Sequence, residues 1–173
     1  MTNFGRFSSL LMFLMTLSLL ATGCGSKDKK NQLSEGEGDQ YPDGNVQEEG
    51  LLLNGDSDAG KAGSLRTVYF EYDSSQLSSQ ARSTLENNAA FLKESTTVEV
   101  QIEGHADERG GVQYNIALGQ RRAKTVKQFL ESMGVAGSRI SIVSYGKERP
   151  LEFGHDEKAW SKNRRANFVV TAK

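Results

Sequence analysis

Thr97-Val98-Glu99-Val100-Gln101-Ile102-Glu103-Gly104-His105 alternates apolar and polar side chains one residue at a time. Val98, Val100 and Ile102 fall on one side of an extended chain, and Glu99, Gln101 and Glu103 on the other. Such a strand packs a core on one face and keeps the other wet, so any helices belong on one side of its sheet. The period changes to a helical one on both sides of this stretch. Upstream, Leu77, Ala81, Leu85, Ala89 and Leu92 recur at helical spacing, with Ser78 placed to cap a helix reaching about Lys93. Downstream, Ile116, Ala123, Val126, Leu130 and Met133 make the core stripe of a second helix from about Asn115 to Met133, which Gly134 stops.

Further out lie three more strand-like runs. Thr67–Tyr72 (TVYFEY) is aromatic and β-branched, and Arg139–Tyr145 is the second. In Arg164–Thr171, Ala166, Phe168 and Val170 alternate with Asn167 and Val169. Gly146–Asn163 is polar, broken by Pro150, and reads as a long loop. The order is β-α-β-α-β-β. The expected class is α+β: two helices packed on one face of a small mixed four-stranded sheet. From Leu65 to Lys173 there are 16 Lys and Arg against 13 Asp and Glu, too small an excess to argue for nucleic acid.

The first 64 residues have another character. Arg6 is the only charged residue before Lys27, and the apolar run Leu10–Ala21 has the length of a signal-peptide core, short for a bilayer span. Cys24, the only cysteine, follows Ala21-Thr22-Gly23. A lone cysteine in an exported chain has no internal disulfide partner. The tetrapeptide resembles the bacterial lipobox, although Ala21 stands where leucine is commoner. That resemblance implies cleavage after Gly23, a diacylglyceryl thioether on Cys24 and N-acylation. Several acyl chains hold a protein firmly to a membrane. Gly25, rather than Asp, after the cysteine leans toward the outer membrane. Residues 24–64 read as a flexible tether: from Asn31 to Gly60 there are eight acidic residues and no basic one, and seven glycines lie from Gly36 to Gly63. A Gly-rich coil of roughly 40 residues spans about 35 Å on average. Leu51–Leu53 is its one apolar cluster, a candidate for docking on the domain. The folded domain is then expected to be 65–173.

The candidate site lies where the alternating strand meets the second helix. Asn115, Leu118 and Arg122 share one helix face, distinct from the core stripe, and Arg122 points back toward the helix start. The loop Gly104–Gly111 brings Asp107 to the same end, where backbone N–H groups can hold an anion. A guanidinium grips a carboxylate and a carboxylate holds an ammonium, so such a site suits a zwitterionic, amino-acid-like ligand. A structural salt bridge between Asp107 and Arg122, or simple solvation of both, explains the same spacing and stays open at this point.

Val68–Asp73 (VYFEYD) resembles the first strand of the OmpA-like peptidoglycan-binding domain. Gly104–Gly110 (GHADERG), Tyr114-Asn115, Leu118-Gly119 and Arg121-Arg122-Ala123 resemble that family's central motif. Ile140–Pro150 (ISIVSYGKERP), Gly154–Glu157 (GHDE) and Ser161–Ala166 (SKNRRA) are similar to its peptidoglycan-associated lipoproteins. The likeness runs from Thr67 to Val170. It implies non-covalent binding of the peptidoglycan stem peptide through meso-diaminopimelate, with Asp107 and Arg122 as the key pair. Asn115 and Leu118 match supporting positions, and Asp73 and Tyr72 match positions lining the same pocket. It also implies a lipid-anchored outer-membrane protein facing the periplasm, with no cofactor. Within the Tol–Pal system of envelope integrity and cell division the implied partner is TolB, on a surface overlapping the wall site, with Glu108 and Arg109 as candidates.

Three other readings compete. His105, Asp107, Glu108, His155 and Asp156 could form a metal or acid–base set. HADE lacks the i, i+4 histidine pair of a zinc protease, the domain has no cysteine, and no Ser or Thr nucleophile has a partner motif, so an enzyme is not expected. A wall-anchoring lipoprotein outside the Tol system shares the fold but not the partner. Arg121, Arg122, Lys124 and Lys127 form a basic cluster, but export takes the chain away from nucleic acid. Arg164 and Arg165 read as pocket support or wet surface.

Overall fold

The alternating strand sits inside the sheet of the computed structural model, which describes residues 50–173. The export segment, Cys24 and the tether up to residue 49 lie outside the described residues. The sheet order is β1 (Val68–Tyr69), β4 (Arg165–Ala172), β2 (Glu99–His105), β3 (Ile140–Gly146). β4 runs antiparallel to β1 and β2, whereas β2 and β3 are parallel. A parallel pair needs a crossover, and α2 (Val112–Ser132) supplies it. α1 (Ser79–Glu94) joins β1 to β2, and the Ser78 side chain accepts from the N–H of Ala81 as its cap. Val98, Val100, Ile102, Phe168 and Val170 from the sheet side meet Leu85, Ala89 and Leu92 of α1 and Ala123, Val126 and Leu130 of α2 in one core.

Two glycines set how close α2 comes. A Cβ on Gly104 would stand 1.9 Å from the carbonyl oxygen of Gly119, and one on Gly119 would stand 2.3 Å from Ser144 Oγ. The contact of α2 with β2 is thus backbone to backbone, which carries Asn115, Leu118 and Arg122 to the C-terminal end of β2.

The expectation of two helices needs correction. Among the described residues there are three α-helices, the third being α3 (Glu157–Asn163), inside the stretch read as loop. Seven residues are too few to show a helical stripe. Its stability comes from its ends instead: Asp156 accepts from the N–H of Ala159, and Asn163 Oδ1 accepts from the N–H groups of Leu151 and Glu152. A one-turn 3₁₀ segment, Gly137–Arg139, also precedes β3.

β1 is shorter than the expected 67–72. Phe70 still donates its N–H to the Arg164 carbonyl, but the chain then turns, and Asp73 adopts φ +51°. The ordered domain also begins before Leu65. Leu51 and Ala62 are buried and bridge one another, and Asp56 bridges Val169. The N–H groups of Asn54 and Ser57 donate to the carbonyls of Val170 and Phe168, and Val170 donates to Gly55. Asp58 Oδ2 lies 2.7 Å from Arg165 Nε. Residues 54–57 therefore cover a stretch of β4 that β1 is too short to reach.

Candidate functional site

β2 ends at His105, and residues 106–111 lead to α2. Asp107 is held in that loop at 4% exposure. Its Oδ1 accepts from the Arg109 backbone N–H (3.1 Å) and Nε (3.2 Å), and its Oδ2 from Arg109 Nη2 (2.6 Å) and Arg164 Nη1 (3.4 Å). Burial works against the charged carboxylate, but these donors outweigh it and hold Asp107 below the usual carboxylate range.

Arg122 is wholly buried on α2. Nε donates to the Ser74 carbonyl (2.8 Å), Nη1 to that of His105 (2.8 Å) and Nη2 to that of Glu71 (3.0 Å). The side chain therefore fastens three elements: α2, the end of β2 and the β1–α1 connection. Burial, with repulsion from Arg164 second, pulls its pKa down to about 10, so it stays charged at neutral pH. A guanidinium has five N–H groups, and these bonds occupy three.

The six residues expected at the site, Tyr72, Asp73, Asp107, Asn115, Leu118 and Arg122, line one cavity of about 150 Å³. Arg109, Gly110 and Tyr114 complete its wall. Asn115 is buried and donates to the Arg109 carbonyl (2.9 Å), fixing the loop to the first turns of α2. Tyr114 Oη donates to Asp73 Oδ1 at the rim. The partners of Asp107 differ from the simple pairing with Arg122 that spacing allowed: its charge is met by Arg109 and Arg164, and Arg122 holds carbonyls.

Glu108 and Arg109, grouped by sequence, part company. Arg109 belongs to the cavity wall, with Cζ 4.0 Å from the centre of the Tyr72 ring and 3.9 Å from that of Trp160. Glu108 turns the other way and accepts from Trp160 Nε1 (2.8 Å) and His155 Nδ1 (2.7 Å). Lys147 Nζ holds the loop from outside through the carbonyls of Glu108 (3.1 Å) and Gly110 (2.7 Å). Arg164 stands behind Asp107, the supporting place that was one of its two readings. Trp160 was missed. Its only local sign was Asp156-Glu157, a cap followed by an acidic first turn.

The residues of the metal or acid–base reading have other surroundings. His105 is buried against Tyr145, with ring centres 5.7 Å apart. Among the described residues its ring nitrogens have no hydrogen-bond partner, the Glu103 carboxylate being 3.7 Å from Nε2, and burial lowers its pKa. His155 bonds Glu108, and Asp156 caps α3.

The OmpA family model matches residues 69–165. A peptidoglycan-associated lipoprotein of Pseudomonas aeruginosa is 40% identical over 169 residues, covering 97% of this chain and 98% of that protein. One from Pasteurella multocida is 50% identical over 100 residues, 58% of this chain and 67% of its own. The crystal structure of the peptidoglycan-associated lipoprotein from Burkholderia pseudomallei aligns with a TM-score of 0.59 at 43% identity, covering 61% of this chain and 89% of that one.

Proposed function

This chain belongs to the OmpA family and, within it, to the peptidoglycan-associated lipoproteins, and from that premise we propose that the cavity between Asp107 and Arg122 is its grip on the cell wall. The protein is an outer-membrane lipoprotein whose periplasmic domain binds peptidoglycan without a covalent bond. It links outer membrane to wall within the Tol–Pal system, and it anchors rather than catalyses. The ligand is the meso-diaminopimelate residue of the stem peptide, whose side chain ends in both an ammonium and a carboxylate.

The observation that carries this is a small cavity with walls of both signs. Asp73 offers a carboxylate to an ammonium group, and Asp107 adds negative charge to the same wall while its oxygens hold Arg109 and Arg164. Arg109 and Arg122 bring positive charge to the wall for a carboxylate. Gly111 caps α2 without a side-chain bond, so the first N–H groups of the helix add donors for an anion. Leu118 covers the methylene chain between the charged ends.

Asp107→Ala and Arg122→Ala each weaken capture by purified peptidoglycan at least about tenfold, the scale of one lost charge-assisted bond. Circular dichroism checks that each variant is folded. Wild-type capture by both folded variants overturns the assignment. At the other end Cys24 carries the lipid, and Cys24→Ser frees the protein from membranes.

TolB is the second proposed partner, at Glu108 and its neighbours. Support comes from position alone: Glu108 is exposed on the same short loop that carries Asp107 and Arg109. Association with TolB that Glu108→Ala weakens supports this. Wall capture without any TolB association leaves a wall anchor outside the Tol system.

A further inference from the structure

We infer that Trp160 is a positioning residue for ligand selectivity: it holds Arg109 so that one edge of the guanidinium reads the distal carboxylate of the bound diamino acid. This rests on the cavity assignment above and adds Trp160, a residue that none of the motif stretches quoted for the family contains.

Arg109 is a long side chain on a loop, and left alone it would sample many rotamers. Here it is fixed from three directions. Nε and Nη2 are taken by the Asp107 carboxylate, at 3.2 and 2.6 Å. The Tyr72 and Trp160 rings both lie within 4.0 Å of Cζ, and at that distance a planar cation has room for one ring on each face. Nη1 makes none of these contacts. An arginine clamped on its faces and on its Nε edge can turn only that remaining end toward a ligand.

Trp160 is fixed in turn. Its Nε1 donates to Glu108 Oε1 at 2.8 Å, and it rides on a helix pinned at both ends by Asp156 and Asn163. The same helix reaches the other cation on Asp107, because Arg164 Nη2 donates to Glu157 Oε1. α3 thus touches both arginines that neutralise Asp107, one by stacking and one by charge. Tyr72 sits on the β1–α1 connection that Arg122 fastens, so the two rings belong to independently anchored pieces of the wall. Removing Trp160 frees Arg109 on one face while leaving Asp107, Arg122 and the core in place.

The test uses the full chain and two soluble ligands. One is the tripeptide ending in meso-diaminopimelate, and the other is the same peptide with the distal carboxylate amidated. Affinities come from calorimetric titration. The wild type binds the acid form more tightly. Trp160→Leu, which keeps apolar bulk but no ring, weakens the acid form about tenfold and changes the amide by less than about twofold. Trp160→Phe restores most of the selectivity. Trp160 is the chain's only tryptophan, so its emission shifts more with the acid form than with the amide. Equal weakening of both ligands in Trp160→Leu marks a merely structural role and overturns the inference, as does no change in either. A wild type that binds neither ligand sinks the cavity assignment itself, a result distinguishable from both.

Discussion

Arg122 and Arg139 make the same kind of bond at opposite ends of β2. Arg139 donates Nε to the Val98 carbonyl (2.9 Å), Nη1 to that of Leu92 (2.8 Å) and Nη2 to those of Ser95 (2.6 Å) and Val98 (2.5 Å). It closes the C-terminal turn of α1, whose last carbonyls have no helical partner, and ties that turn to the chain entering β2. Arg122 likewise gathers carbonyls from three places at the strand's far end. The difference is what lies beside each. Arg139 is partly open to solvent and all four of its bonds end on backbone. Arg122 is wholly buried and borders a cavity with carboxylates on its wall. Residue type and bonding pattern are shared, and the neighbouring space separates a fastener from the residue proposed here to bind the wall.

The largest effect that can break this comparison comes from removing each arginine. Arg122→Ala should abolish wall capture and destabilise the domain by about 3 kcal/mol, since several buried carbonyls lose their donors at once. Arg139→Ala should cost about 1–3 kcal/mol on the same grounds and leave wall affinity within about twofold. Urea titration and peptidoglycan pull-down measure the two quantities separately. Loss of capture in a folded Arg139→Ala would mean that the two ends are coupled through β2.

What the sequence disclosed follows the same division. Periodicity placed β2, β4, α1 and α2, because each has a face buried in the common core. It missed α3, whose support is a cap, an asparagine and a stacked ring. It put residues 51–64 in the tether because their anchors are distant in sequence: Asp58 meets Arg165, and Ser57 Oγ donates to Asn167 Oδ1 at 2.8 Å. At the site, motif and helix spacing singled out six residues that line one cavity. They did not indicate that Arg109 would take the Asp107 carboxylate, or that Arg122 would spend three of its donors on carbonyls. Those choices depend on where the β1–α1 connection comes to rest.

A smaller effect, on pH, sharpens the contrast. The donors around Asp107 favour its charged form in the fold, so its folded pKa lies below the unfolded value of about 3.9. Its stabilisation is therefore complete above the unfolded value and is lost as pH falls through the lowered one. The melting temperature should hold level on acidification to about pH 5 and then fall, and Asp107→Asn should flatten part of that acid limb. Arg139→Ala, whose bonds involve no carboxylate, should lower the whole curve without changing its shape. An acid limb unaltered by Asp107→Asn would show that Asp107 is not where protonation weakens the fold.

The smallest effect belongs to the rim. The hydrogen bond and charge of Glu108 raise the pKa of the exposed His155. A raised pKa means that the folded protein favours the proton. The contribution is full below the ordinary histidine value of about 6.5 and is lost as pH rises through the raised one. The melting temperature should slip slightly across that window, and His155→Gln should remove the slope. Wall binding should barely respond, because Glu108 keeps its second donor, Trp160 Nε1, whichever state His155 is in. If His155→Gln instead weakened the acid-form tripeptide while sparing the amide, the clamp on Arg109 would extend past Trp160 to the rim. The functional end of β2 would then comprise the cavity together with the loop and helix that enclose it.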